Sequence, residues 1–385
     1  MTEKIRVLQL IKTLDISGAE RYSVEIARAL PKDRCQVQVC GFFETGSELE
    51  KYWQNRLREE GIENFVATPW VGNDQFLSYW KGIQELKRQL RWRPMDVIHS
   101  HFQLGTLAAL YLRSLGLVRS VVRTAHNHPR TEWSPGWYGD VRRWLIGGWV
   151  YPCFVDLETS VSQVISDELR QNPGARWARR PPVTMHSAVS MEAFQYFELA
   201  PMMKPEGHYW IGSVGRLTKQ KNYSVLLQAM KLVLNRIPQT TLFLIGDGEL
   251  RSELEQEAKA LGIENQVVFL GRRSDVFEQI RQWDLFVLPS LWEGLAAVVI
   301  ESMACGTPVV ATDIPGMREL IEPGQSGWLV NAGDALNLAE TILEALQNPE
   351  LRAKFAKFAF QHAKQFTFPI IAERYAQLYA EVIAK

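Results

Sequence analysis

The chain has 385 residues, 46% hydrophobic and 22% charged, a globular composition too long for one ordinary core, so two domains are expected. Its 43 basic and 43 acidic side chains cancel. Without a concentrated basic footprint, bulk binding to nucleic acid is excluded as a function.

Cys35, Cys40, Cys153 and Cys305 form no CxxC pair, the pattern of reduced thiols in a cytoplasmic protein. The opening MTEKIRVLQLIK carries charges where a signal peptide needs an apolar run. The apolar run 144–155 is shorter than the roughly 20 residues a spanning helix requires. A soluble protein is expected, or one peripheral on the inner membrane face.

In chain order, IRVLQLI (5–11) predicts a strand and residues 19–30 a helix. CQVQVCGF, DVIHSHF, VVRTAH and DLETSVS predict further strands or strand ends. Residues 198–209, ELAPMMKPEGHY, are Pro-rich and aperiodic, as a linker would be. The rhythm then restarts with WIGSVGRL, TLFLIGDG, QVVFLG, DLFVLPS and TPVVATD, with helical segments between them. Alternating β and α elements imply parallel sheets. The expected domains are 1–197 and 205–366. Both halves open alike, a strand and a Gly-containing loop leading to YSVEIARA at Tyr22 and YSVLLQAM at Tyr223. Two such domains leave a cleft at the carboxyl ends of their strands, where open α/β sheets bind ligands.

Several motifs suit an anionic ligand. The loop around Gly18 follows the first strand and opens a helix, exposing backbone N–H groups at a positive helix end. It is neither GxGxxG nor a P-loop, and alone it is equally a tight turn. GRLTKQKN (215–222) follows the first strand of the second half. Arg216 and Lys221 can converge there on a diphosphate, Arg as a fork and Lys as a point charge. Gly246 and Gly271-Arg272 end later strands, where glycine permits a sharp turn or a close approach. His99, His101, His126 and His128 form two HxH pairs. No carboxylate or cysteine cluster completes a metal-ligand set, so no metal is expected. His126, just past a strand, is the candidate for the cleft.

The stretch WEGLAAVVIESMACGTPVVATD places Glu293 and Glu301 in an apolar run. On one helix their spacing spans ~12 Å. A retaining hydrolase needs about 5–5.5 Å between its carboxyls and an inverting one about 6.5–9.5 Å, so a glycosidase pair is excluded. The expectation is Glu293 in a loop, a helix starting near Gly294, and Glu301 about two turns in. The helix N-terminus between them would be free for an anion.

The order SGAE, AHN, GRLTKQKN, GDGEL, EGLAAVVIE, ACGTPVVATDIPG and SGWLV resembles the retaining glycosyltransferases of family 4. It is dense from about 210 to 332 and looser from 5 to 128. The resemblance implies the GT-B fold, two Rossmann-like α/β domains with parallel sheets facing across a cleft. It implies a nucleotide-sugar donor, UDP-linked by preference and GDP-linked otherwise, and no cofactor or metal. Glu301 would bind the ribose. Arg216 and Lys221 would hold the diphosphate, with amides near Gly18 and at Ala297 and Val298. Arg272 would border the base, and His126 and Glu293 would meet the transferred sugar. A final helix at about 367–385, amphipathic through Ile371, Tyr375, Leu378, Tyr379 and Ile383, would cross back to the first domain. Ala296 stands where the family usually has Gly or Pro, and Met185–Ser190 depart from its usual Asn-Gly-Ile/Val-Asp.

The acceptor side is the less typical half. Trp133, Trp137, Trp144 and Trp149, interleaved with Arg142 and Arg143, fit either a membrane surface beneath a lipid-linked or saccharide acceptor or a helix pair burying its aromatics. Trp80 and Trp92 pose the same choice. Competing readings are a nucleotide-sugar epimerase, a non-catalytic nucleotide-sugar-binding subunit, and a metal hydrolase built on the histidines.

Overall fold

Short β-branched runs set the architecture. VVAT at Val309–Thr312 and LFVL at Leu285–Leu288 are buried throughout, as strands covered on both faces by helices must be. The computed structural model describes residues 3–15, 18–69, 75–127, 136–195 and 204–384. Ile16, Ser17, His128, Trp133 and the first half of the Pro-rich stretch fall outside the described residues.

The chain divides into two units, Met1–Ser187 with Phe368–Lys385, and Ala188–Thr367. The first holds β1 (Ile5–Ile11), β2 (Cys35–Glu44), β3 (Glu63–Pro69), β4 (Met95–Ser100), β5 (Val118–Ala125), β6 (Leu157–Ser160) and β7 (Val183–Thr184). They form one parallel sheet in the order β3-β2-β1-β4-β5-β6-β7. The second holds β8 (Tyr209–Val214), β9 (Thr240–Ile245), β10 (Val267–Gly271), β11 (Leu285–Leu288), β12 (Val309–Thr312) and β13 (Trp328–Val330). Their order is β10-β9-β8-β11-β12-β13, again parallel. Both are doubly wound sheets that reverse direction beside their first strand, which is where such sheets bind ligands.

Helix starts follow local chemistry. Ser47, Ser162, Asp334 and Asn348 each accept a hydrogen bond from the backbone N–H three residues on, a cap contributing ~1 kcal/mol. Each unit has its own core. In the first, Leu8, Leu10, Ile98 and Val121 pack with Leu86 and Leu112. In the second, Ile211, Leu242, Leu285 and Val310 pack with Leu226, Met230 and Ile342.

The C-terminal helix Phe368–Ile383 buries Ile371, Tyr375, Tyr379 and Val382. It packs on the helix Ala19–Ala29 and on β4 and β5, so the chain's last element completes its first unit. The boundary precedes the Pro-rich stretch because Val189 bridges to Thr367 and its N–H donates to the Phe366 carbonyl at 2.8 Å.

Candidate functional site

In the second unit the loops after β8, β9 and β10 are stitched together at the carboxyl edge. The N–H of Gly215 donates to the Ile245 carbonyl at 2.9 Å, and that of Gly246 to the Gly271 carbonyl at 2.8 Å. Gly246 has φ 133°, and a Cβ on it would lie 2.0 Å from the Gly215 carbonyl oxygen. A glycine is therefore required here by backbone packing alone. Arg216 and Arg272 are exposed at this edge.

After Gly215 the chain makes a single 3-10 turn at Lys219–Lys221 and enters the helix Tyr223–Leu234 through Asn222. Asn222 has φ 53°, the one positive value outside glycine among the described residues. Asn tolerates the left-handed region better than most residues. The tight turn directs Lys221 at Glu293, with Nζ 2.6 Å from Oε1. Glu293 Oε1 also accepts from Ser290 Oγ at 2.7 Å, and Oε2 from Gln220 Nε2 at 3.3 Å. The Gln220 amide further donates to the Trp292 carbonyl at 2.9 Å, and the Gln220 carbonyl accepts from the Leu291 N–H at 2.8 Å. A Cβ on Gly316 would lie 2.7 Å from the Gly294 oxygen, so this loop is pinned from both sides. The Lys221 and Glu293 side chains retain 15% and 9% of their exposure. Removing one partner of a pair so shielded strands the other charge at a cost of about 3–5 kcal/mol.

The adjoining helix spans Ala297–Ala304, three residues later than the sequence implies. Ala296 holds extended backbone as its N-cap and supplies no side-chain acceptor. The first-turn amides, those of Ala297 and Val298 among them, therefore lack a side-chain cap at the positive end of the dipole. Glu301 is the fifth residue of this helix, not two turns in, and is half-buried. The second unit thus brings together a lysine, a carboxylate fixed by three donors and an uncapped helix end, with arginines at the same sheet edge. That combination suits a phosphate-bearing ligand with hydroxyl groups.

The first unit presents a different edge. Gly18, at φ 51° with open space around it, caps the helix Ala19–Ala29 without a side-chain hydrogen bond. His126 follows β5, and its Nε2 lies 3.0 Å from Nδ1 of His101. His101 Nε2 pairs with Gln9 Oε1 at 2.8 Å, and Gln9 Nε2 donates to the Tyr379 hydroxyl at 3.1 Å. His99 pairs through Nδ1 with that hydroxyl and through Nε2 with Thr124 Oγ1, both at 2.6 Å. Burial pushes His99 down to about 3, with His126 adding to it; burial, then Arg123, pushes His126 down to about 3. Burial, with His99 and His126 beside it, holds His101 well below the ordinary range. All three are neutral at pH 7. Both ring nitrogens of His99 and of His101 are engaged in hydrogen bonds.

Of the residues that complete this network, the sequence singles out none of Gln9, Thr124 and Thr159, and it suggests Tyr22, Tyr375 and Tyr379 only as helix positions. The available signal was a glutamine in the centre of the apolar strand IRVLQLI and two tyrosines four residues apart on a helix face.

Of the clustered tryptophans, Trp137 and Trp144 are 79% and 58% exposed, so they are not an internal aromatic pair. Tyr138, Val141 and Leu145 are exposed beside them. Trp149 is half-buried and lies tilted against Trp177 with ring centroids 5.2 Å apart. Trp92 and Trp80 are also exposed.

Residues 16–180 match the family model for Glycosyltransferase Family 4, and residues 198–362 match that for Glycosyl transferases group 1. The UDP-Gal:alpha-D-GlcNAc-diphosphoundecaprenol alpha-1,3-galactosyltransferase of Escherichia coli is 24% identical over 86% of this chain and 84% of its own. The lipopolysaccharide core biosynthesis glycosyltransferase LpsE of Rhizobium meliloti is 34% identical, but over only 44% of this chain and 48% of its own. Among solved structures, Anabaena Alr3699/HepE in complex with UDP and glucose superposes with a TM-score of 0.79 at 22% identity, covering 98% of this chain and all of the other. With both halves matched in the order the motifs run and both sheets doubly wound, the chain belongs to the family 4 glycosyltransferases of GT-B fold.

Proposed function

We propose that the protein moves a sugar from a nucleotide-sugar donor, UDP-linked first, to a hydroxyl of a saccharide or lipid-linked acceptor, with retention and without a metal. The observation that carries this reading is the second unit's edge, where the Lys221–Glu293 pair adjoins the uncapped helix Ala297–Ala304. Lys221, Arg216 and the amides of Ala297 and Val298 take the diphosphate, with the Gly18 loop helping. Glu301 takes the ribose, Arg272 and the Gly246 turn border the nucleotide, and Glu293 and His126 meet the sugar. A UDP-galactose enzyme among the relatives and UDP with glucose in a structural neighbour support the donor class.

In the transfer, the bond from the sugar's anomeric carbon to the diphosphate oxygen breaks and a bond to the acceptor oxygen forms on the same face. The acceptor's proton passes to the departing phosphate oxygen. Negative charge grows on that phosphate as the sugar becomes oxocarbenium-like. Fixed cations and amides directed at it lower the barrier, because they need no reorganisation as the charge appears. Glu293, already held by Lys221, Ser290 and Gln220, is preorganised to accept from sugar hydroxyls.

Incubation with UDP-, GDP- and ADP-sugars tests this, reading slow donor hydrolysis together with thermal stabilisation. A folded sample that responds to none sinks the reading. Glu301→Ala is expected to weaken nucleotide binding, and Glu293→Ala to lower turnover with nucleotide affinity kept. The exposed Trp137, Tyr138 and Trp144 with Arg142 and Arg143 fit an anionic bilayer carrying a lipid-linked acceptor. No helix among the described residues is long and apolar enough to cross a membrane, so contact would be peripheral. Absence of co-flotation with anionic liposomes at low salt removes the membrane part of the proposal.

A further inference from the structure

The buried network of the first unit has a direction, and its end at His126 bears on the proposed chemistry. Each hydroxyl has one proton to give, each neutral imidazole one, and a backbone carbonyl only accepts. Tyr22 Oη lies 3.3 and 3.4 Å from the carbonyls of Met185 and His186 and donates there. Its contact with Tyr375 Oη at 3.4 Å is likewise one in which Tyr22 donates. Thr159 Oγ1 donates to the Arg123 carbonyl at 3.3 Å. Thr124 Oγ1 sits 2.7 Å from Thr159 Oγ1, whose proton is taken by the Arg123 carbonyl, and 3.1 Å from Tyr375 Oη. It therefore donates to Thr159 Oγ1 and accepts from His99 Nε2.

The rest follows in sequence. With its proton on Nε2, His99 offers Nδ1 as acceptor to the Tyr379 hydroxyl. That hydroxyl in turn accepts from Gln9 Nε2, which turns Gln9 Oε1 toward His101 Nε2–H. His101 Nδ1 then accepts, and His126 Nε2 must donate. The remaining nitrogen of His126, Nδ1, carries a lone pair. Gln9, His99, Thr124 and Tyr379 are each 2% exposed or less, so water does not compete for the bonds among them.

We propose that Tyr379 is a positioning residue. From the C-terminal helix it acts through Gln9 and His101 to hold His126 as the neutral Nε2–H tautomer, with Nδ1 as a hydrogen-bond acceptor for a hydroxyl of the bound substrate. The substrate part of this statement rests on the role proposed above for His126. A donor-only imidazolium at that place would meet sugar hydroxyls and the growing oxocarbenium charge differently. Closing the first unit with the last helix of the chain thereby sets the chemistry of a loop more than two hundred residues earlier.

The test is histidine-selective 15N NMR of the full chain, with the His126 signals identified by their loss in His126→Ala. The wild type is expected to show a protonated Nε2 and a bare Nδ1. Tyr379→Phe keeps the ring and removes the hydroxyl, and Gln9→Met cuts the relay at the next link. Each should give a mixed or reversed tautomer. Turnover in donor hydrolysis should fall by about three- to tenfold, the worth of one neutral hydrogen bond, with KM little changed. Ile371→Ala, on the same helix face but outside the relay, should lower Tm without altering the His126 spectrum. An Nδ1–H tautomer in the wild type, or an unchanged tautomer in both folded relay variants, overturns the proposal. If the tautomer shifts as expected while His126→Ala hydrolyses donor normally, the relay stands and the assigned role of His126 fails.

Discussion

The two units share one topology and hold their functional edges by opposite means. In the second unit the edge is built from charge: Lys221 against Glu293, arginines exposed beside them, and a helix end without a cap. In the first it is built from neutral groups: three histidines, three tyrosines, two threonines and a glutamine in one buried network. The same strand order thus supports either device, because the sheet fixes where the loops emerge and leaves their chemistry open. Charge suits the unit proposed to hold a diphosphate. A neutral, directional network suits one that orients a hydroxyl and must not repel a developing cation.

The contrast breaks most visibly with pH. His99, His101 and His126 have folded pKa values below their unfolded value near 6.5. The unfolded chain therefore binds more protons once the pH falls below about 6.5, and the stability these groups contribute is present above that and lost as the pH falls toward about 3. Each of the three that takes up a proton in the unfolded chain steepens the loss of stability as the pH falls through that window. Hydrogen exchange between pH 7 and 4 should show the first unit opening before the second, and the reverse order rejects the account. In the second unit Asp275, held down to about 2 by Arg273, begins to lose its contribution only below about 3.8, after the histidines have begun to charge.

Next in size is Lys221→Met. It removes a cation from the proposed diphosphate site and leaves Glu293 with Ser290 and Gln220 alone. Donor hydrolysis should fall by about 10²–10³ in kcat, as when one preorganised donor is lost. An equal loss on replacing exposed Lys219 would show that bulk charge, not the fixed pair, matters.

Glycines separate the two edges more finely. Gly246→Ala forces a Cβ within 2.0 Å of the Gly215 oxygen at φ 133° and should cost about 1–3 kcal/mol or more, read as a lower Tm. Gly18→Ala meets no atom within 4 Å and pays only for a backbone at φ 51°, ψ −109° that L-residues avoid, about 1–2 kcal/mol. Equal Tm losses would mean that the close approach at Gly246 relaxes freely.

The smallest effect on stability belongs to the aromatic surface. Trp137→Ser with Trp144→Ser should change stability within about 0.5 kcal/mol, since both side chains are exposed. Donor hydrolysis should not change, whereas liposome co-flotation should drop.

By itself the sequence determined the α/β rhythm, the long strands and the second unit's loops. β-branched runs ending in Gly-containing turns are local signals, and the residues that hold Glu293 lie on loops that follow such runs. It missed β3, β7 and β13, which are partly exposed or only two or three residues long, so their pairing is decided by the sheet beside them. It placed the helix start at Gly294, where the chain instead needs an extended cap at Ala296 before turning. Only the tertiary structure decided that Trp137 and Trp144 face outward, that Lys221 pairs with Glu293, and that Tyr375 and Tyr379 reach His99 and Thr124. These contacts join positions dozens to hundreds of residues apart, and no local periodicity encodes which buried hydroxyl will meet which imidazole.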